Sequence, residues 1–367
     1  MILCSNPKAQ YLAHKAAIDA AIQRVLEGGR YVLGPEVSTF ESEFAAYIGV
    51  AHGIGVANGT DALVIALKAL GIGPGDEVIT TAHTAVATVA AIELAGATPV
   101  FADIEPDYYT LDPAAVERAI SPRTKALIPV HIYGQPAAIP EFVALAKKHG
   151  LRLIEDCAQC HGARHAGQRL GSFGDIACFS SYPTKNLGAL GDGGAIVTGD
   201  AELANRCRLI REYGWAERYV SHIPGQNSRL DELQAAVLRV KLAALDADNA
   251  RRGEIADLYD RGLAGTKLGL PKRRPNSSHV FHLYVARAAR RDALIEQLRG
   301  AGIGALIHYP VPVHRQKAYA GRIRGGESLP ETERAATEVV SLPMYPELSR
   351  EEVERVVSSI QRFTESS

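Results

Sequence analysis

Between about residues 50 and 200, short apolar runs alternate with longer stretches whose apolar positions recur every three or four residues. Residues 53–57, 77–80, 99–102, 126–130, 151–155, 175–179 and 195–198 read as strands. Residues 60–70, 84–95, 113–120 and 139–149 read as helices between them. Turn signals such as Gly73-Pro74-Gly75-Asp76 separate the two textures. This alternation predicts a largely parallel sheet with helices on both faces. Ligands of such sheets sit beyond the carboxyl ends of the strands. Asn58, His83, His131, Asp156 and Ser180 all stand just past a predicted strand.

From Leu230 to Leu263 the pattern is helical throughout, with Leu233, Val237, Leu238, Leu242, Leu245, Ile255 and Leu258 on the apolar side. An unbroken helix over that span would be about 50 Å long at 1.5 Å per residue, with Gly253 as its weak point. Its length suits a connection between two units. After Pro271-Lys272-Arg273-Arg274-Pro275 the texture changes. Residues 279–285 and 305–308 read as strands, and 291–299, 332–340 and 349–363 as helices, which predicts a smaller α+β unit.

Composition narrows the function classes. A chain of 367 residues is long enough for about two domains. Its formal net charge of −1 gives no electrostatic footprint for nucleic acid or an anionic membrane. No apolar run reaches membrane-spanning length. The N-terminus Met1-Ile2-Leu3-Cys4-Ser5-Asn6-Pro7 lacks the basic flank and apolar core of a signal peptide. The five cysteines are an odd count in a long chain, which fits reduced thiols and a cytoplasmic setting. Cys157-Ala158-Gln159-Cys160 has the form C-x-x-C, but no second pair or matching histidine pair follows, so no metal is expected.

Three clusters carry chemistry. Asn58-Gly59-Thr60-Asp61 joins a strand end to a helix start, where backbone N–H groups and a hydroxyl either hold a phosphate or simply cap the helix. Asp156, at the end of a strand, can keep a pyridine nitrogen protonated and so turn the ring into an electron sink. Ser180-Ser181-Tyr182-Pro183-Thr184-Lys185 offers a hydroxyl for phosphate and an amine able to form a Schiff base. A phosphate loop, a ring-nitrogen carboxylate and a lysine, each at a strand terminus, are what pyridoxal 5′-phosphate requires of an α/β scaffold. Pyridoxamine 5′-phosphate is then the intermediate carrier of the amino group.

These motifs stand in a fixed order with several others. They include Gly29-Arg30-Tyr31-Val32-Leu33-Gly34, Pro129-Val130-His131-Ile132-Tyr133-Gly134, Glu155-Asp156-Cys157-Ala158-Gln159, Tyr182-Pro183-Thr184-Lys185-Asn186-Leu187-Gly188 and Asn227-Ser228-Arg229-Leu230-Asp231-Glu232. The chain resembles, nearly end to end, the DegT/DnrJ/StrS family of sugar aminotransferases. The resemblance implies fold type I. Residues 1–245 would form a large α/β/α cofactor domain with a mainly parallel mixed sheet, and residues 246–367 a smaller α+β domain. It implies Lys185 as Schiff-base lysine, Asp156 as ring-nitrogen partner, Gln159 beside the ring, and Gly59, Thr60 and Ser180 on the phosphate. It also implies that Asn227 reaches the phosphate of a neighbouring subunit, so that active sites are shared across a homodimer. Two positions depart from the pattern: Ala85 and Ser181 stand where aromatic residues are frequent, which leaves His83 or a shifted neighbour to pack on the ring.

The family's usual reaction moves an amino group from L-glutamate to a nucleotide-linked keto-6-deoxyhexose. The segment Ile307-His308-Tyr309-Pro310-Val311-Pro312-Val313-His314 resembles the branch that aminates C3 of dTDP-3-keto-6-deoxyhexoses. Amination at C4, a sugar dehydratase and a non-catalytic regulatory relative are the alternatives. Lys185 argues against the dehydratase branch in which histidine replaces it. Tyr182, Tyr31, His308, Tyr309 and His314 are the candidate substrate contacts. A nicotinamide-dependent oxidoreductase is disfavoured, because no G-x-G-x-x-G follows the first strand.

Overall fold

The computed structural model describes residues 1–365. Its centre is a seven-stranded sheet in the order His52–Val56, Gly194–Thr198, Ile176–Ser180, Arg152–Asp156, Thr124–Leu127, Glu77–Thr81, Thr98–Ala102. Six strands run the same way, and Gly194–Thr198 lies antiparallel to both neighbours. The sheet is therefore mixed and mainly parallel.

Side chains alternate across it, as the pleat demands. Ala177, Phe179, Ala195, Val197 and Leu153 face Phe40, Phe44, Phe142 and the first half of the long helix. Ile176, Cys178, Ile196 and Ile154 face the helix Gly59–Ala69 and the helix Ala201–Arg211. Gly59–Ala69 is buried nearly all round, from Ala62 to Leu67, which explains its apolar texture. A third core gathers Ile255, Tyr259, Leu263, Tyr284, Leu298, Val340, Val356 and Ile360. The helix Glu232–Leu263 joins these cores. Ala235, Leu238 and Leu245 pack beside the sheet, and Ile255, Tyr259 and Leu263 pack in the third core.

The long helix is continuous across Gly253, where an added Cβ would meet nothing within 4 Å. It begins at Glu232, not at Leu230. Ser228 does not cap it: the Ser228 hydroxyl accepts the N–H of Ala57 at 3.1 Å instead, and so ties the chain before the helix to the end of the first strand. The C-terminal part departs from its sequence pattern in three places. Of the expected strand 279–285 only the end is extended, as Tyr284–Arg287 paired with Val339–Leu342, because Phe281 takes a left-handed conformation (φ 44°) that breaks the run before it. Residues 305–308 make only an isolated bridge, Leu306 to Ser341. The helix Pro330–Glu338 starts and stops earlier than its pattern suggests, because Val339 turns extended to enter that strand pair. Three N-terminal helices, Pro7–Ala13, Lys15–Gly28 and Pro35–Ile48, complete the layer on one face. Among the described residues no helix is long and apolar enough to cross a membrane.

Candidate active site

The carboxyl ends of the parallel strands open on one cavity of about 230 Å³. Gly59, Thr60, Ser180, Lys185, Asp156 and Gln159 line it, together with Tyr182 at its edge. These seven positions were expected together from sequence, and chain folding brings them together.

The helix start is built for close approach. Asn58 caps it, its side-chain oxygen accepting the N–H of Asp61 at 2.8 Å. The first-turn N–H groups of Gly59 and Thr60 have no carbonyl within the helix to bond. Gly59 must lack a side chain, since a Cβ there would lie 2.6 Å from the Ser180 Cβ. Gly194 meets the same limit, with Asn58 backbone atoms 2.5 Å from a built Cβ. The two glycines let the helix start, Ser180 and the antiparallel strand converge on a small anion-binding corner.

Asp156 occupies the opposite polar region. The pleat sends it into the cavity and sends Glu155 the other way. Glu155 is fully buried, where it accepts the N–H groups of Gly171, Phe173 and Gly174 at 2.8–2.9 Å and the His131 ring at 3.2 Å. Burial alone would raise the Glu155 carboxyl, but the His131 ring and these N–H groups outweigh it and hold it below its ordinary value. The loop beneath Asp156 is pinned by this second carboxylate. Asp156 itself accepts the Thr88 hydroxyl at 2.9 Å and the Ala158 N–H at 3.2 Å. Burial raises its carboxyl, while the Thr88 hydroxyl, the Ala158 N–H and the nearby Lys185 charge act the other way. Thr88 has one proton and gives it to Asp156. Thr84, 2.9 Å from the Thr88 oxygen, must then donate to Thr88.

Lys185 is half-buried at the cavity wall, with its N–H donated to the Tyr182 carbonyl at 2.8 Å. Desolvation lowers its amine from an ordinary 10.5 to about 8, although the Asp156 charge pulls upward. A lysine so placed carries a usable fraction of neutral, nucleophilic amine near physiological pH. Gln159 is oriented by two fixed partners. Its Oε1 accepts the Tyr133 N–H at 2.6 Å, so its Nε2 faces the Tyr309 hydroxyl at 3.1 Å.

The remaining candidates lie elsewhere. Tyr309 and His308 stand one step behind Gln159. The Tyr133 hydroxyl donates to the His308 carbonyl, and the His308 ring bonds Ser341 at 2.8 Å. His314 is not at the cavity: it is buried, edge-on to Phe101 and bonded to Glu333 at 3.1 Å. Tyr31 is 51% exposed and its hydroxyl donates to the Leu26 carbonyl at 3.3 Å. Asn227 is exposed too, on a bridge to Glu212 outside this cavity. Nearby, Arg30, Val32, Tyr213, Trp215, Tyr219 and Arg229 line a wide surface concavity.

Neither histidine just past a strand end reaches the cavity. His83 is buried and bonds the Tyr133 hydroxyl at 2.6 Å, so it cannot pack on a ring in the cavity. The apolar walls are Ala85, Ala87, Val130 and Ala158. His131 lies near Cys157 and Cys160, with donor atoms within 4.8 Å of one another. Its Nδ1 accepts the Ala137 N–H at 3.0 Å and its Nε2 faces Glu155, so neither nitrogen offers a metal its lone pair. Burial pushes both thiols up, away from the thiolate form that a metal needs.

An α/β scaffold that gathers a lysine, a buried carboxylate and a phosphate-sized helix start at its strand ends defines a lysine–carboxylate group-transfer enzyme. The chain belongs to the DegT/DnrJ/EryC1/StrS aminotransferase family, whose model matches residues 13–361. It is 52% identical over 359 residues to the dTDP-3-amino-3,4,6-trideoxy-alpha-D-glucose transaminase of Streptomyces venezuelae, covering 98% of this chain and 95% of that one. Its fold superposes with a TM-score of 0.97 on the crystal structure of S. venezuelae DesV in complex with a ketimine intermediate, at 51% identity and over 99% of this chain and 98% of that one. NtdA from Bacillus subtilis, solved with bound cofactor PMP, matches at a TM-score of 0.90 and 33% identity, over 96% of this chain and 82% of that one.

Proposed function

We propose that this enzyme uses pyridoxal 5′-phosphate to move an amino group from L-glutamate to C3 of a dTDP-linked 3-keto-6-deoxyhexose. The observation that carries the proposal is the meeting of Lys185, Asp156, Thr60 and Ser180 in one cavity. The residues fit the cofactor: hydroxyls and first-turn N–H groups lie at the corner where Gly59 leaves room for phosphate, and Asp156 lies where a ring nitrogen would need a counter-charge. When bound, the group delocalises the electron pair left as the substrate carbon loses its proton. Lys185 would hold the group through its side-chain amine and, as a free amine, would carry that proton. Asp156 would supply the counter-charge for a ring nitrogen, with the Thr84–Thr88 hydroxyl chain fixing its orientation. Gln159, held by Tyr133 and Tyr309, would stand beside the ring. Ala85 and Val130, on the apolar wall, would be the residues available to pack against a ring.

The cavity is smaller than the ~300–1,000 Å³ of pockets that enclose a whole drug-sized ligand. The nucleotide therefore lies outside it, past the exposed Tyr182, and His308 and Tyr309, behind Gln159, are further candidates for contact, with Tyr31 away from the cavity. We place the boundary between cofactor domain and small domain at about residue 245 within the long helix. The enzyme works as a homodimer in the cytoplasm, a compartment in keeping with five unpaired, buried cysteines. Asn227 of the partner subunit completes the phosphate corner. Its exposure beside the exposed Tyr213, Tyr219 and Val220 supports this role. Asn227→Ala is expected to weaken pyridoxamine phosphate binding about tenfold, the loss of one hydrogen bond to a charged group. Equilibrium dialysis showing unchanged affinity would remove Asn227 from the site.

The proposal is tested with the protein converted to its pyridoxamine form. Addition of a dTDP-3-keto-6-deoxyhexose should restore the visible absorbance of the lysine-linked cofactor, and the 4-keto isomer should not. Recovery with the 4-keto sugar alone would move the amination to C4. Recovery with neither would reject a keto-6-deoxyhexose acceptor.

A further inference from the structure

Asn186, the residue after the lysine, is 2% exposed and has no place on the cavity wall. Its side chain joins three distant segments. Nδ2 donates to the Val280 carbonyl at 3.0 Å and to Asn249 Oδ1 at 2.8 Å, and Oδ1 accepts from His282 Nδ1 at 3.3 Å. Backbone carbonyls settle both amide orientations. Val280 can only accept, so Nδ2 of Asn186 must face it. Asn249 Nδ2 donates to the His161 carbonyl at 2.8 Å, so its Oδ1 is the end left for Asn186. Desolvation holds His282 well below its ordinary value and so uncharged, and the Asn186 oxygen fixes its proton on Nδ1.

The backbone on either side is held as well. The Asn186 carbonyl accepts from Gln10 Nε2 at 3.4 Å. The buried amine of Lys241 spans the Gly188 carbonyl at 2.7 Å and Gln10 Oε1 at 2.8 Å. The lysine loop, the turn after Asp156, the long helix and the entry to the C-terminal part thus converge on one amide.

We propose that Asn186 is a positioning residue for Lys185, a joint through which the long helix and the Val280–His282 segment set where the lysine amine stands relative to Asp156. The inference rests on the cofactor reading above. Lys185 has to leave the cofactor carbon and return to it in every cycle, so an error in its backbone position appears in the return step. Cofactor affinity depends on the phosphate corner and Asp156, neither of which contacts Asn186.

Asn186→Asp is the sharpest probe. It keeps the shape but sets a carboxylate against the Val280 carbonyl and Asn249 Oδ1. The holoenzyme is converted to its pyridoxamine form with L-glutamate, then mixed rapidly with 2-oxoglutarate, and the visible band of the lysine-linked cofactor is followed. Pyridoxamine phosphate affinity is measured separately. Expected is a return rate at least about tenfold slower with affinity within about threefold of the parent, the signature of a misplaced group. Asn249→Ala should act in the same direction more weakly, and adding it to Asn186→Ala should cost little more, as for residues sharing one network. A return rate within twofold of the parent, or a parallel fall in affinity, would overturn the proposal. If the Asn186 variants fail to fold, Asn249→Ala decides by the same two readouts. A parent protein that shows no visible band would instead reject the cofactor reading, and this proposal with it.

Discussion

Lys185→Ala should lower transamination by about 10⁴-fold or more, the scale of losing a group that is both nucleophile and proton carrier. The cavity should still bind pyridoxamine phosphate, because Thr60, Ser180 and Asp156 keep their places and partners. The visible band of the lysine-linked cofactor should be absent. Spectra and turnover of the purified variant check both statements, and normal turnover would sink the mechanism. The unsubstituted protein carries a pH signature of the same residue. Burial lowers the Lys185 amine to about 8. The neutral amine is the attacking form, so with cofactor removed, the rate of cofactor capture should rise with pH and level off above about 8. A profile still climbing toward the ordinary lysine value would mean that the amine is solvated.

Asp156→Asn should reduce kcat by about 10²- to 10³-fold while preserving the fold, in line with the loss of one preorganised charge in a water-poor site. The asparagine oxygen can keep the Ala158 N–H, and its NH2 can donate to Thr88 once the Thr84–Thr88 hydroxyl chain reverses, so the change alters charge with little change of shape. Thermal unfolding should shift little or even upward, because the carboxylate stands in a buried place that raises its pKa. Steady-state kinetics and a melting curve on one preparation separate the two effects. A kcat within about threefold of the parent would show that Asp156 is not the counter-charge of the ring nitrogen.

The strands were legible because each is a short apolar run with a turn at its end, and the polar residues just past those ends mark the site. That rule located Asp156 and Ser180 and also pointed to His83 and His131, which the structure buries behind the cavity. The rule gives the height of a residue on the sheet but not the side toward which it faces. Thr88 was hidden by its setting, a hydroxyl inside a helix otherwise read as apolar. Its spacing of four from Thr84 is the one local signal that could have revealed it. The Tyr133–Gln159–Tyr309 set has no such signal, since its members are up to 176 positions apart and meet only when the C-terminal part folds back. Two of the N-terminal helices carry start signs in the sequence. Pro7 follows Asn6, and Pro35 follows Gly34, both ordinary signs of a helix start.

The first residues and the last described helix share one core. Ile2 bridges to Ile303 and lies in the same core as Phe363, and the Cys4 carbonyl accepts the Met344 N–H at 3.0 Å. The long helix, for its part, lends one half to each of two cores. The polypeptide is therefore closed on itself twice, like a belt buckled at its tips and riveted at its middle. Cutting it anywhere along Glu232–Leu263 would strip a wall from both compartments at once. In such a molecule the order of the segments along the chain matters less than the closure.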